Sequence, residues 1–105
     1  SRLEIDDRTW RLSRRLYGWD EAGWDRGRVA QRLKEAAAPA GIPVLDLTEP
    51  LRRANDAGGP RPYFTYDGHW SAAGHRVAAE EVQRFLSRPG WLEGCAAPIA
   101  GGPAR

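Results

Sequence analysis

The sequence predicts a helix-rich α/β fold with one or two short parallel strands. Three segments, residues 6–17, 25–38 and 72–87, have apolar residues at helical spacing, and a short apolar run at 42–47 follows the second of them. A nearly continuous apolar run of this length is typical of a strand that is buried on both faces of a parallel sheet. A helix that leads into such a strand is half of an α/β repeat.

The first predicted helix, residues 6–17, is amphipathic. Asp6 or Asp7 is its predicted N-cap, because a short acidic side chain accepts hydrogen bonds from the first free amides of a helix. The apolar side consists of Trp10, Leu12, Leu16 and Tyr17, and the opposite arc of Arg8, Arg11, Arg14 and Arg15. Such an arginine face fits either a solvated helix surface or a site for an acidic partner, and no aromatic residues alternate with it as base stacking would require.

The second predicted helix, residues 25–38, begins at Asp25 and ends at Pro39. Its predicted buried stripe consists of Val29, Ala30, Leu33, Ala36 and Ala37. The run at 42–47 then supplies the predicted strand. Thr48 is the predicted cap of a further short helix.

The last predicted helix, residues 72–87, follows an aromatic, extended segment at 62–66, and Ser71 is its predicted N-cap. Its predicted buried stripe consists of Ala78, Ala79, Val82, Phe85 and Leu86. His75 lies within the same arc, which favours a partly buried, hydrogen-bonded structural histidine.

Length, charge and cysteine content exclude several classes of protein. The 105 residues fit one domain at 1–88, followed by a loosely attached Gly/Pro/Ala-rich tail at 89–105. A formal net charge of +2 gives no strong field toward nucleic acid or an anionic membrane. No apolar run approaches the roughly 20 residues of a membrane span. A single cysteine, Cys95, excludes an intrachain disulfide framework and a multi-cysteine zinc site.

One stretch concentrates side chains of catalytic types. Asp67, His69, Ser71 and His75 lie where an extended segment meets a helix N-terminus, which is where open α/β folds build their sites. A carboxylate that holds one ring nitrogen of a histidine fixes its tautomer, so the other nitrogen can take a proton from a serine hydroxyl. Asp67 and His69 are the candidate pair. The alternatives are that Asp67 only turns the loop, or that Asp67, His69 and His75 bind a metal without an evident fourth ligand.

Residues 63–80 resemble the last motif block of the SGNH (GDSL-type) hydrolases. The block begins YFTYDGHWSAAGH, and its landmark residues are Asp67, His69, Trp70, Gly74 and His75. This version is most similar to that of bacterial members, including relatives of acetyltransferase-type proteins that act on exported polysaccharides. Residues 42–54 are more loosely similar to the penultimate strand and helix of the family.

The resemblance implies the C-terminal portion of a three-layer α/β/α, flavodoxin-like fold. It also implies a Ser-His-Asp triad in which His69 is the general base and Asp67 orients it, with Trp70, Gly74 and His75 as structural neighbours. The substrate would be an acyl ester, such as an acetyl ester of a carbohydrate, and neither a cofactor nor a metal would be needed.

The nucleophile block of that family is missing from the sequence. The serines, which are Ser1, Ser13, Ser71 and Ser87, do not lie in a Gly-Asp-Ser context, and the single asparagine, Asn55, has no neighbouring glycine. The chain is therefore expected to be the C-terminal half of an SGNH domain. Its exposed apolar edge would be covered by self-association or by a complementing N-terminal half. The alternative function is that of a non-catalytic fragment that binds a partner through the arginine face of residues 8–15.

Overall fold

The computed structural model describes residues 1–20 and 22–90, and helices dominate this part of the chain. The elements are α1 (Arg2–Ile5), α2 (Asp7–Tyr17), α3 (Arg28–Ala37), a 3₁₀ turn (Ala38–Ala40), α4 (Thr48–Asp56) and α5 (Ala72–Leu86). The prediction of a helix-rich chain is confirmed. None of the helices in residues 1–20 and 22–90 has the length and hydropathy of a transmembrane segment.

The predicted strand at 42–47 is not confirmed. Residues 1–20 and 22–90 contain no β-strand, and their β-pairing is limited to an isolated antiparallel bridge between Tyr63 and Trp70. The run at 42–47 instead connects the 3₁₀ turn to α4, and its second half is partly buried. A parallel strand exists only when a neighbouring strand completes its hydrogen-bond ladder, and the described part of the chain places none beside this run.

Asp6 and Ser71 cap α2 and α5 as predicted. The Asp6 carboxylate accepts hydrogen bonds from the amides of Arg8 and Thr9, at 3.0 and 3.3 Å. The Ser71 hydroxyl oxygen accepts one from the amide of Gly74 at 3.3 Å. Side-chain caps of this kind stabilise a helix by about 1 kcal/mol each.

Two other helix starts differ from the predicted ones. α3 begins three residues after Asp25, because that carboxylate accepts the amide of Gly27 at 2.8 Å and closes a turn ahead of the helix. At α4, Thr48 is the first residue of the helix and not its cap: Leu47 is the N-cap, and the Asp46 carboxylate accepts the amide of Thr48 at 3.0 Å. Lys34 donates to the same carboxylate at 2.7 Å, and this bond is the main reason why the pKa of Asp46 is lowered to about 2.

The core is small and joins α1, α4 and the segment before α5. Ile5, Leu51 and Tyr63 are buried at its centre, and Leu47, Trp70 and Val77 pack against it while partly buried. α1 is too short for sequence patterns to predict, and a helix of four residues is not stable alone. It is held by tertiary contacts, because the side chains of Arg26 and Arg52 donate to the Glu4 carbonyl oxygen at 2.9 and 2.5 Å.

The predicted apolar faces of α2 and α3 are mostly exposed, with only Trp10, Ala30 and Ala37 partly buried. Leu16 of α2 and Val29 of α3 expose 76% and 72% of their surface, and neither helix contributes a buried residue. Along α5, Ala78 and Phe85 are buried as predicted, whereas Ala79, Val82 and Leu86 are exposed. The helical pattern identifies residues that share a face, but the described part of the chain places no element over these faces.

The aromatic residues around the end of α2 pack on one another instead. Trp19 stacks between Tyr17 and Trp24, with ring centroids 5.2 and 4.3 Å apart. Gly18 ends α2 with a φ of +65°, a left-handed conformation that turns the chain back and lets Trp19 fold against the helix. The boundary between a domain at 1–88 and a tail at 89–105 stays a prediction, because residues 91–105 and with them Cys95 lie outside the described part.

Candidate functional site

Asp67 and His69 lie at the tip of a tight loop. Tyr63 and Trp70 face each other across its two arms, and the amide of Phe64 donates to the carbonyl oxygen of His69 at 3.2 Å. These contacts bring the arms together, so the candidate pair projects from the end of a small hairpin-like loop rather than from a sheet edge.

The base of this loop is attached to α5. The amide of Ser71 donates to the carbonyl oxygen of Pro62 at 2.9 Å, and the Ser71 hydroxyl donates to that of Arg61 at 2.5 Å. Gly74 lies so close to the same segment that an added Cβ would overlap the Pro62 carbonyl oxygen and lie 3.1 Å from the Cβ of Trp70. The absence of a side chain at position 74 is therefore what lets α5 and the loop meet.

The Asp67 carboxylate binds His69 twice. Its Oδ1 accepts the backbone amide of His69 at 2.7 Å and also contacts ring atom Nδ1 of the same residue. Both contacts hold the pKa of Asp67 below its usual value, and the backbone hydrogen bond has the larger effect. This carboxylate is therefore ionised at neutral pH. An ionised carboxylate can only accept a hydrogen bond, so in the neutral imidazole Nδ1 carries the proton and Nε2 presents its lone pair.

The Nε2 side of His69 is open. The side chain is 86% exposed, and within residues 1–20 and 22–90 no group makes a hydrogen bond with Nε2. A neutral imidazole with one nitrogen held by a carboxylate and the other unoccupied is suited to general acid–base chemistry. The structure thus brings the two predicted residues together in the orientation that this chemistry needs.

The predicted neighbours Trp70 and His75 border an open cavity of about 430 Å³ beside His69. Trp70 is partly buried and packs against the core. The prediction of a partly buried, hydrogen-bonded His75 is wrong: this residue is exposed, and its ring meets Trp70 edge-on with centroids 5.5 Å apart. Its position in the first turn of α5 places it beyond the reach of the core, although it shares the helical arc of Ala78.

The described serines do not bind His69. The Ser71 hydroxyl is occupied by the cap and by Arg61, Ser13 lies on α2, and Ser87 is at the far end of α5. Ser1 borders the same cavity as His69 but begins α1 in a capping box with Glu4. The alternative of a metal site at Asp67, His69 and His75 is not supported, because in the described ranges no three His, Cys, Asp or Glu side chains are grouped closely enough to bind an ion.

An aromatic ring, that of Trp19, lies beside the arginine face of α2, which the sequence pattern did not indicate. Arg11, Arg14 and Arg15 line a hollow of about 350 Å³ together with Trp19. The amide of Trp19 donates to the carbonyl oxygen of Arg14 at 3.1 Å, and the Arg14 side chain donates to the carbonyl oxygen of Trp19 at 3.4 Å. The turn at Gly18 therefore places an indole ring beside the arginine face, whereas the helix itself carries its aromatic residues, Trp10 and Tyr17, on the opposite, apolar side.

Residues 13–97 match the model of a protein family described as "SGNH hydrolase-like domain, acetyltransferase AlgX". The matched residues make up well over half of the chain. The match identifies a family with an α/β fold and assigns no role to a single residue. No curated protein and no solved structure gives a significant match.

Proposed function

Because the chain belongs to the family of SGNH hydrolase-like domains of the acetyltransferase AlgX, we propose that Asp67 and His69 serve a Ser-His-Asp triad that cleaves or transfers acyl esters. The main support is the contact between the Asp67 carboxylate and Nδ1 of His69, which leaves Nε2 exposed. The family itself is related to acyl transfer and ester hydrolysis, which agrees with this chemistry.

In the proposed reaction, a serine outside this chain attacks the acyl carbon. Nε2 of His69 takes the hydroxyl proton as the oxygen–carbon bond forms, and Asp67 stabilises the resulting imidazolium. The imidazolium then returns its proton to the oxygen of the leaving alcohol as the ester bond breaks, so the acyl group remains on the serine. Water or an acceptor alcohol completes the second half in the same way, which restores the serine.

We infer that the substrate is an O-acetyl or other short acyl ester, including esters of carbohydrate. The name of the matched family refers to an acetyltransferase. The cavity beside His69, about 430 Å³ in volume, has room for a small acyl group and part of the alcohol that carries it. The triad needs no cofactor.

The finer fold remains part of the proposal. In a three-layer α/β/α domain the run at 42–47 would be a strand, and segments outside this chain would provide its neighbours. The exposed apolar residues of α2 and α3, among them Leu16 and Val29, are surfaces that such neighbours would cover.

Chemical modification of a one-histidine variant tests the function. His75→Gln leaves His69 as the sole histidine of the chain. In a preparation that also contains the nucleophile-bearing segment, diethyl pyrocarbonate is expected to abolish hydrolysis of p-nitrophenyl acetate by this variant. Hydroxylamine, which removes the modification from imidazole, is expected to restore it. Activity that survives complete modification of His69, established by mass spectrometry, would contradict the proposal.

A second candidate function is partner binding through the arginine face, which the hollow formed by Arg11, Arg14, Arg15 and Trp19 favours. Guanidinium groups beside an indole ring suit an anionic ligand, and the attraction weakens with salt.

Binding of inorganic polyphosphate, measured by tryptophan fluorescence, tests this candidate. The double variant Arg11→Gln/Arg15→Gln is expected to bind about tenfold more weakly at low salt, as expected for a loss of about 1.4 kcal/mol. The matched variant Arg28→Gln/Arg32→Gln removes the same charge from α3 and should bind like the unmodified chain. Equal losses in both variants would reject a site on α2 and leave only a net-charge effect.

A further inference from the structure

We propose that Arg2 is a positioning residue for the Asp67–His69 pair, an inference that rests on the proposed function. Arg2 is distant in sequence and does not touch either member of the pair. The Arg2 side chain instead binds backbone carbonyl groups of the loop that carries the pair.

Arg2 binds two consecutive carbonyl groups on the first arm of the loop. Its Nη1 donates to the carbonyl oxygens of Phe64 and Thr65, at 3.1 and 2.5 Å. Its Nη2 lies 3.6 Å from Oδ2 of Asp6, and the side chain is only 22% exposed. Hydrogen bonds from a charged donor are stronger than neutral ones, and this guanidinium is oriented by Asp6 as well as by the loop.

The tip of the loop has little other support. Tyr66 is fully exposed, and Asp67, Gly68 and His69 are also exposed. Within residues 1–20 and 22–90, the hydrogen bonds that reach residues 64–68 from a distant part of the chain are those of Arg2. The first arm enters the tip two residues before Asp67, so the position of that carboxylate follows from where Arg2 holds Thr65.

Small displacements of such a pair are costly for catalysis. A misplacement of about 1 Å can lower a rate by roughly 100-fold, because the reacting atoms lose their near-attack geometry. The planar fork of an arginine binds several acceptors at once, whereas a lysine provides a single nitrogen. The role therefore depends on the guanidinium and not on positive charge alone.

The test combines a rate with a titration of Asp67 by carbon-13 NMR. Arg2→Ala is expected to lower kcat for p-nitrophenyl acetate roughly 10- to 100-fold, with little change in KM. It is also expected to move the pKa of Asp67 upward toward the usual aspartate value. The contacts that lower this pKa come from His69 and not from Arg2, so a change reports that the loop has loosened.

Three variants separate positioning from other causes. Arg2→Lys keeps the charge and is expected to show an intermediate loss in kcat. If Arg2→Ala loses the helical circular dichroism of the unmodified protein, the two measurements are made on Arg2→Lys instead. Asp6→Asn keeps an acceptor for the cap of α2 but removes the ion pair, and it should affect kcat less than Arg2→Ala does. Arg28→Ala, on an exposed position of α3, should change neither reading.

The outcomes distinguish this inference from the proposed function. An unchanged Asp67 titration in Arg2→Ala would overturn the positioning role, and so would an Arg28→Ala variant that lowered kcat as much as Arg2→Ala does. A shifted Asp67 titration together with full activity of a His69 variant would instead contradict the proposed function. The conclusion that Arg2 fixes the position of the loop would then remain valid.

Discussion

Replacing His69 with glutamine is expected to lower kcat for ester cleavage by at least about 1,000-fold, because the amide can accept a hydrogen bond but cannot take up a proton near neutral pH. Asp67→Asn is expected to cost about 100-fold or more. Its amide cannot stabilise the imidazolium, and it can hold the ring in the wrong tautomer.

The measurement is steady-state hydrolysis of p-nitrophenyl acetate in a preparation that contains the nucleophile-bearing segment. Because the His69 side chain is 86% exposed, its removal should change the free energy of unfolding by less than about 0.5 kcal/mol. A fall in rate can then be assigned to chemistry. Asp56→Asn, at an exposed aspartate of α4, is the matched control and should leave the rate unchanged. A His69→Gln variant with more than a tenth of the original rate would rule out the assigned role.

Replacing Gly74 with alanine is expected to lower the free energy of unfolding by about 3 kcal/mol, because the new methyl group overlaps a backbone atom and not the flexible end of a side chain. The Pro62 carbonyl cannot move away alone, since its oxygen accepts the amide of Ser71 at 2.9 Å. α5 would have to separate from the loop, so the contact between the Trp70 ring and the core would loosen as well.

Urea denaturation measures whether Gly74→Ala lowers or raises the free energy of unfolding, and the direction of the change tests the close contact. Alanine is the better helix former by about 1 kcal/mol, so Gly74→Ala would stabilise the protein if the close contact did not exist. Gly59→Ala is the matched control, because an added Cβ there meets no atom within 4 Å. We expect the control to change stability little. A stabilised Gly74→Ala variant would show that α5 does not lie against Pro62.

Local signals were sufficient to predict α2 and α5. The caps at Asp6 and Ser71 and the ends of α2 and α5 depend on neighbouring residues, and short-range hydrogen bonds decide them. The pairing of Asp67 with His69 is local too, because the two residues are separated by one residue and the carboxylate reaches both the amide and the ring. The family resemblance added the expectation of an acyl-ester reaction, which the match to residues 13–97 supports at the level of the family.

Burial and long-range contact could not be predicted in this way. A helical arc groups Leu16 with its neighbours and His75 with Ala78, but only the packing of other elements determines which of them is covered. The apolar run at 42–47 is compatible with a strand, yet a strand requires a partner that the described residues do not place beside it. The contact of Arg2 with Thr65 joins residues 63 positions apart, and no short-range pattern encodes it, because it exists only once α1 packs against the core.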